Sequence, residues 1–212
     1  LIAQYACGSA SFKPGSSDAI DLLIRGFCRA GRDEIVICTP TFGMYRVYAD
    51  IQGAALREVP LVRDRGFALN HQTLIDGWKP ESKLLFLCSP NNPTGNRIPD
   101  TELDQLCTAL AGRGLVVVDA AYIEFADSDP TNWLLQRHDN VVVLRTLSKA
   151  FGLAGMRVGY TISNDKIIGY MMSVKPIYEI NAFNIKLVRL LINRLSVMKS
   201  YVREVSKGRL ML

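Results

Sequence analysis

Short apolar runs alternate along this chain with amphipathic stretches. Ile35–Cys38, Lys83–Cys88, Leu115–Val118 and Val141–Leu144 are short, mostly aliphatic and often β-branched, which predicts strands buried on both faces. Between them, apolar residues recur at helical spacing. Ile20, Leu23, Ile24 and Phe27 make one set, Met44, Val47, Tyr48 and Ile51 a second, and Leu103, Leu106, Cys107 and Leu110 a third. Asp100, just ahead of the third set, is the expected N-cap. Fully apolar strands alternating with amphipathic helices predict an α/β fold, a mostly parallel sheet with helices on both faces. From about Asn184 to Leu212 the strand signal stops. Leu187, Leu190, Leu191, Leu195, Met198, Tyr201 and Val202 there predict one long helix with a basic outer face, leading toward a further domain that this sequence does not contain.

In open parallel sheets, ligands bind beyond the carboxyl ends of the strands. The residues just past each apolar run are therefore informative. Ser89-Pro90-Asn91-Asn92-Pro93-Thr94-Gly95 comes after the second run, Asp119-Ala120-Ala121-Tyr122 after the third, and Arg145-Thr146-Leu147-Ser148-Lys149 after the fourth. Three consecutive strands thus deliver polar, chemically capable residues to one edge, which marks a candidate site.

Each of these residues has a plain reading beside the chemical one. A single lysine is ordinarily a solvated charge. Lys149, at the carboxyl edge of a strand, is also placed to serve as an amine nucleophile if its surroundings lower its pKa. Asp119 is a turn or capping residue, or a carboxylate set against a protonated ring nitrogen. Asn92 sits in a strong turn signal and could also donate to a ring hydroxyl, as could Tyr122 from the next loop. Gly15-Ser16-Ser17-Asp18 precedes the first amphipathic helix, either as a simple cap or as an anion cup of free N–H groups and serine hydroxyls. Ser148 and Arg157 could complete that cup, because an arginine offers phosphate a bidentate fork. Phe42 is a core aromatic or a stacking surface for a ligand ring.

Composition narrows the classes. The 212 residues suffice for one large domain with a substantial core, and no apolar stretch is long enough for a membrane helix. The start of the sequence carries no signal-peptide pattern. Net charge is +5, from 25 basic and 20 acidic residues, but the basic residues are dispersed, which argues against nucleic acid. The five cysteines, Cys7, Cys28, Cys38, Cys88 and Cys107, form no CxxC pair. Cys38 and Cys88 end apolar runs, which suits buried free thiols and a cytoplasmic location. His71 and His138 lack metal-ligand spacing and are expected at the surface, so no metal is predicted. No G-x-G-x-x-G follows a strand, and Thr146 rather than serine stands three residues before Lys149. Both facts count against dinucleotide-binding and serine-acylase readings.

Four motifs resemble those of the fold-type I pyridoxal-phosphate (PLP) aminotransferases, in the family's order and near its spacings. They are Pro-Thr-Phe-Gly-Met-Tyr (40–45), Ser-Pro-Asn-Asn-Pro-Thr-Gly (89–95), Val-Asp-Ala-Ala-Tyr (118–122) and Leu-Ser-Lys-Ala-Phe-Gly-Leu-Ala-Gly-Met-Arg-Val-Gly (147–159). Ala-Ile-Asp-Leu-Leu-Ile-Arg-Gly-Phe-Cys (19–28) adds similarity to the histidinol-phosphate aminotransferase subgroup, and the resemblance covers nearly the whole chain. It implies PLP as cofactor and Lys149 as the lysine that bonds to it and moves the proton at the substrate α-carbon. It implies Asp119 at the pyridine nitrogen, Asn92 and Tyr122 at the ring hydroxyl oxygen, and Phe42 on the ring face. The cofactor phosphate is implied on Ser16, Ser17, Ser148 and Arg157.

The implied activity is transamination of histidinol phosphate or a related amino compound with 2-oxoglutarate, in histidine biosynthesis, by a cytoplasmic homodimer. A PLP-dependent decarboxylase of a phosphorylated amino acid, or an inactive relative with the same fold, stands as the alternative. The implied organisation is a PLP-binding large domain over 1–183, truncated at its N-terminus, and a connecting helix over 184–212 toward an absent small domain. Neither the family's N-terminal arm tyrosine nor its small-domain arginine is visible, so this chain alone is expected to bind PLP weakly or turn over slowly. It also departs from the subgroup at Gly-Ser-Ser-Asp (15–18), at Asp-Ala-Ala-Tyr (119–122) and over Lys175–Asn181.

Overall fold

Among the described residues seven strands make one sheet: Ser9–Lys13 (β1), Glu34–Thr39 (β2), Ala55–Pro60 (β3), Ser82–Cys88 (β4), Leu115–Asp119 (β5), Val141–Thr146 (β6) and Gly159–Ser163 (β7). The computed structural model of the chain describes residues 9–13, 15–176 and 180–211, so Cys7 and residues 177–179 of the departing 175–181 stretch lie outside the described residues. Strand order is β1-β7-β6-β5-β4-β2-β3. The pairs β2–β3, β2–β4, β4–β5 and β5–β6 are parallel, while β7 runs antiparallel to both β6 and β1. The mostly parallel α/β sheet expected from the sequence is the one found.

Alternation along each central strand sends neighbouring residues to opposite cores. Val36, Leu85, Leu87, Val116 and Val118 join one core with helices His71–Asp76 (α3), Asp100–Ala109 (α4) and Thr131–Arg137 (α5). Ile35, Ile37, Leu84, Phe86 and Val117 join the other with Ser16–Phe27 (α1), Met44–Gln52 (α2) and Asp165–Val174 (α6). Each large aliphatic or aromatic side chain fully buried in this way contributes about 2 kcal/mol. A third, smaller cluster forms where Val158, Tyr160 and Ile162 of the β7 region meet Leu147 and Val188.

Several details differ from the periodicity reading. The strands β1, β3 and β7 carry no long apolar run. The outermost strand β3 buries only Val59 well, and β7 buries polar Thr161 and Ser163, the latter with its Oγ donating to Val141 O at 2.5 Å. In α2 the buried face is Tyr45 and Ala49, whereas Val47 and Ile51 of the expected stripe are 42% and 69% exposed. Pro99, not Asp100, is the N-cap of α4. Asp100 is the first helical residue and its carboxylate pairs with Arg97 instead. The predicted single tail helix is two, Ala182–Ile192 (α7) and Leu195–Arg209 (α8), interrupted at Asn193-Arg194. Asparagine readily leaves helical conformation by bonding locally. Of the expected tail stripe, Leu190 and Tyr201 are exposed and the others half-buried.

The two histidines are half-buried rather than at the surface. His138 Nε2 lies 2.7 Å from Asp104 Oδ1, and this contact, with Arg137, holds the Asp104 carboxyl below its usual range. No metal-binding cluster occurs among the described residues. Cys28, Cys38, Cys88 and Cys107 are buried free thiols.

One contact ties the sheet to the candidate site. A Cβ on Gly159, at the start of β7, would lie 2.7 Å from both Gly15 C and Ser16 N and 2.8 Å from Arg145 O. These are backbone atoms that cannot swing aside, so only glycine lets the start of α1 approach the start of β7. Replacing Gly159 with Ala is expected to destabilise the fold by about 2 kcal/mol, the usual scale of overpacking, in urea unfolding. A variant with wild-type stability would show that α1 has room to retreat.

Candidate functional site

The carboxyl ends of β2, β4, β5 and β6 open on one edge of the sheet. Because β7 runs the other way, its beginning reaches that edge too, carrying Arg157, and α1 begins there after β1. Topology alone therefore brings residues from both ends of the α/β body to one place. All nine residues singled out from the sequence, Ser16, Ser17, Phe42, Asn92, Asp119, Tyr122, Ser148, Lys149 and Arg157, line a single cleft of about 100 Å³, together with Cys88 and Thr146 among others.

At the floor is Asp119, the last residue of β5 and only 2% exposed. Its Oδ2 accepts from the Tyr45 hydroxyl at 2.8 Å and its Oδ1 from the Ala121 N–H at 3.2 Å. Burial pushes the Asp119 pKa above the usual carboxylate value, while Tyr45, the Ala121 N–H and the Lys149 charge pull the other way. Burial and the nearby Asp119 charge likewise push the Cys88 thiol up to about 12, which makes it a poor nucleophile at neutral pH.

Lys149 lies on the turn after β6. Its side chain is exposed to the cleft, with Nζ 5.1 Å from the centroid of the Tyr122 ring. Phe42 is half-buried in the turn before α2 and meets Tyr45 edge-on, with centroids 5.6 Å apart.

The opposite end of the cleft favours an anion. Gly15 caps α1 with φ 146° and no side-chain cap bond, so the first N–H groups of the helix are not taken up by a capping side chain. That backbone conformation is open essentially to glycine alone, and a Cβ there would also lie 2.7 Å from an Arg157 guanidinium nitrogen. Arg157 itself has positive φ, 47°, and its Nη2 is 4.0 Å from Asp18 Oδ2. The Ser148 N–H donates to Thr146 Oγ1 at 3.1 Å, but the buried Ser148 Oγ has no partner. A buried hydroxyl without a partner is costly, and a bound oxyanion would satisfy it.

Three residues that shape the site carry no assigned role in the sequence reading. Tyr45 lies within the 40–45 motif but off the expected helix stripe. Asn91 joins two turns: it accepts from Thr41 Oγ1 at 2.9 Å, and its amide donates to Pro40 O at 2.9 Å and Thr94 Oγ1 at 2.7 Å. The turn bearing Phe42 is thereby fastened to the turn bearing Asn92. Arg145, on β6, donates to Glu124 Oε1 at 3.2 Å and Thr131 Oγ1 at 3.1 Å and pairs with Asp129. It pins the segment that follows Tyr122 against the strand that leads to Lys149. A buried arginine inside an otherwise aliphatic strand is the signal that marks it in retrospect.

An amine, a buried carboxylate, an aromatic face and an oxyanion cup thus surround one small volume. The set suits a flat ring with a cationic nitrogen at one side, an anionic tail at the other and a carbonyl within reach of the amine.

Residues 3–196 match the family described as aminotransferase class I and II. The chain is 42% identical to a histidinol-phosphate aminotransferase of Francisella philomiragia over 166 residues, 78% of this chain and 46% of that protein. It is 38% identical to one from Cytophaga hutchinsonii over 198 residues, 93% of this chain and 56% of that protein. It therefore spans about half the length of the relatives it matches. The crystal structure of histidinol-phosphate aminotransferase from Sinorhizobium meliloti in complex with pyridoxal-5'-phosphate shares the fold, with TM-score 0.89 at 24% identity over 98% of this chain and 57% of that one. With a family match that runs through every strand of the sheet and all nine cleft residues, the chain belongs to the class I and II aminotransferases.

Proposed function

We propose that this chain binds pyridoxal 5'-phosphate and carries out transamination, exchanging an amino group between histidinol phosphate or a related amine and 2-oxoglutarate. The observation that carries the reading is the convergence of Lys149, Asp119 and the Ser16–Ser17–Ser148–Arg157 cup on one cleft. The names of the relatives, all histidinol-phosphate aminotransferases over most of this chain, support the substrate.

The residues fit the cofactor on two independent counts. The buried Ser148 Oγ lacks a partner where a phosphate would supply one, and among the described residues no cation pairs directly with the Asp119 carboxylate, where a protonated ring nitrogen would. When bound, the cofactor supplies an electron sink for the pair left at the substrate α-carbon. The protein's part is the rest. Lys149 Nζ would hold the cofactor covalently until the substrate amine takes its place, and the amine so freed would move the proton to and from the α-carbon. Asp119 keeps the ring nitrogen protonated, Asn92 and Tyr122 hold the ring hydroxyl oxygen, and Phe42 covers one ring face. Ser16, Ser17, Ser148 and Arg157 hold the phosphate. Ala120 and Ala121, where the subgroup carries Glu and Ala, are buried and leave Asp119 and its backbone donor in place.

The same proposal takes residues 1–183 as the cofactor-binding domain and 184–212 as a connecting helical segment. It also includes a cytoplasmic homodimer that binds neither nucleic acid nor membrane. Among the described residues no helix is long and apolar enough to cross a membrane.

Titration with pyridoxal phosphate is expected to give the wild type a visible absorbance band that borohydride fixes covalently to the protein, and to give Lys149→Ala none. An identical band in both proteins, or none in either, sinks the proposal. Arg157→Ala is expected to weaken cofactor affinity by about tenfold, the scale of one charged hydrogen bond, in a spectral titration at fixed salt. With histidinol phosphate and 2-oxoglutarate, glutamate should form without release of CO₂. Replacing Asp119 with Ala should slow that transfer on the order of a hundredfold.

A further inference from the structure

Tyr45 is fully buried and lies with Ala49 on the inward face of α2, away from the stripe of Met44, Val47, Tyr48 and Ile51 that hydropathy alone picks out. Its ring stacks on Phe86 of β4 at 4.9 Å between centroids, nearly parallel at 22°, and it meets Phe42 edge-on at 84°. A phenol hydroxyl buried this deeply must find a partner. The partner is Asp119 Oδ2 at 2.8 Å.

Asp119 in turn is a buried carboxylate for which no ion pair within salt-bridge distance occurs among the described residues. An ionised carboxylate offers about four acceptor positions. Two are occupied by donors whose placement is rigid: Tyr45, clamped between two aromatic rings, and the Ala121 N–H, fixed by the backbone. Together they set the carboxylate plane and leave the other acceptor positions to the cleft. The charged and titratable groups that face Asp119 are Tyr45 from α2, Cys88 from β4 and Lys149 from the turn after β6.

We propose that Tyr45 is a positioning residue, which through its hydroxyl aims the Asp119 carboxylate into the cleft, and through its ring sets the angle of Phe42. One side chain thereby links the group facing the edge of the bound ring to the group facing its plane. The link to the cofactor rests on the proposed function, whereas the coupling of Tyr45 to Asp119 does not.

The sign of the effect comes from the bonding. A hydrogen bond donated to the carboxylate favours its charged form, so losing that bond moves the Asp119 titration to higher pH. Tyr45→Phe keeps both ring contacts and removes only the hydroxyl. In the wild-type chain and this variant, without cofactor, the Asp119 carboxylate is followed by isotope-edited infrared or carbon NMR, with Asp119→Asn identifying the signal. The midpoint is expected to rise in Tyr45→Phe.

Pyridoxal phosphate affinity is expected to fall in the variant by about tenfold at pH values below both midpoints and by less above them, where the carboxylate is ionised in both proteins. In an Asp119→Asn background, Tyr45→Phe should cost no further affinity, because the two residues act as one unit. A merely structural tyrosine would instead lower the melting temperature, leave the midpoint where it is and give additive losses. That pattern overturns the proposal. A midpoint that rises while wild-type protein binds no pyridoxal phosphate would remove the functional reading and leave the Tyr45–Asp119 coupling standing. A midpoint that stays put in a protein that does bind the cofactor removes the coupling alone.

Discussion

Both faces of the central parallel strands are buried, and this constraint organises everything else. A strand such as Leu84–Leu87 that must feed two cores can show no polar side chain along its length, so chemistry is displaced to the point where the strand ends. Parallel order then puts those ends on the same edge, and the residues just beyond them become neighbours in space although they are far apart in sequence. The reversal at β7 completes the arrangement, because it returns the chain to that edge from the other side with Arg157 at its head. The cleft is thus a consequence of how the core is packed, not a feature added to it.

Buried polar contacts give the edge its definition. Asn91 fastens two turns, Arg145 fastens the segment after Tyr122 to the strand before Lys149, and Tyr45 fixes the carboxylate of Asp119. Each is desolvated, so each is costly unless its partners are met in good geometry. In return, loops that would otherwise sample many arrangements are held to one. Arg145 Nε and Glu124 Oε2 are also buried without a partner, but among such atoms of the described residues only the Ser148 hydroxyl belongs to a residue that lines the cleft.

How far the sequence foretold this depends on what kind of burial each element has. The strands β2, β4, β5 and β6 are legible because two-sided burial writes itself as an unbroken aliphatic run. In β3 one-sided exposure dilutes that run, and in β7 buried Thr161 and Ser163 disguise it. The face of α2 is misread because Tyr45 is buried for its hydroxyl and its ring together, while Val47 and Ile51 look inward by hydropathy and outward in fact. The nine cleft residues are recovered because they follow strand ends and sit in recognisable motifs. Asn91 stays hidden because Pro40 and Thr41 lie in another turn, whereas Arg145 shows as a charge within an aliphatic run while its partner Glu124, far off in sequence, does not. The break between α7 and α8 is invisible to a periodicity that continues in phase across Asn193.

The meeting of Gly159 with Gly15 and Ser16 has a kinetic side. The two halves of the oxyanion cup belong to opposite ends of the α/β body, so their approach closes one of the longest loops in the chain. Closing such a loop costs more entropy than forming a local helix or pairing strands near in sequence. A chain still growing, or one arrested part-way, would present Lys149 and Asp119 without the cup that receives an anion. Any ligand that binds only the assembled cup would, by linkage, stabilise the molecules in which the first helix and the last strand have met.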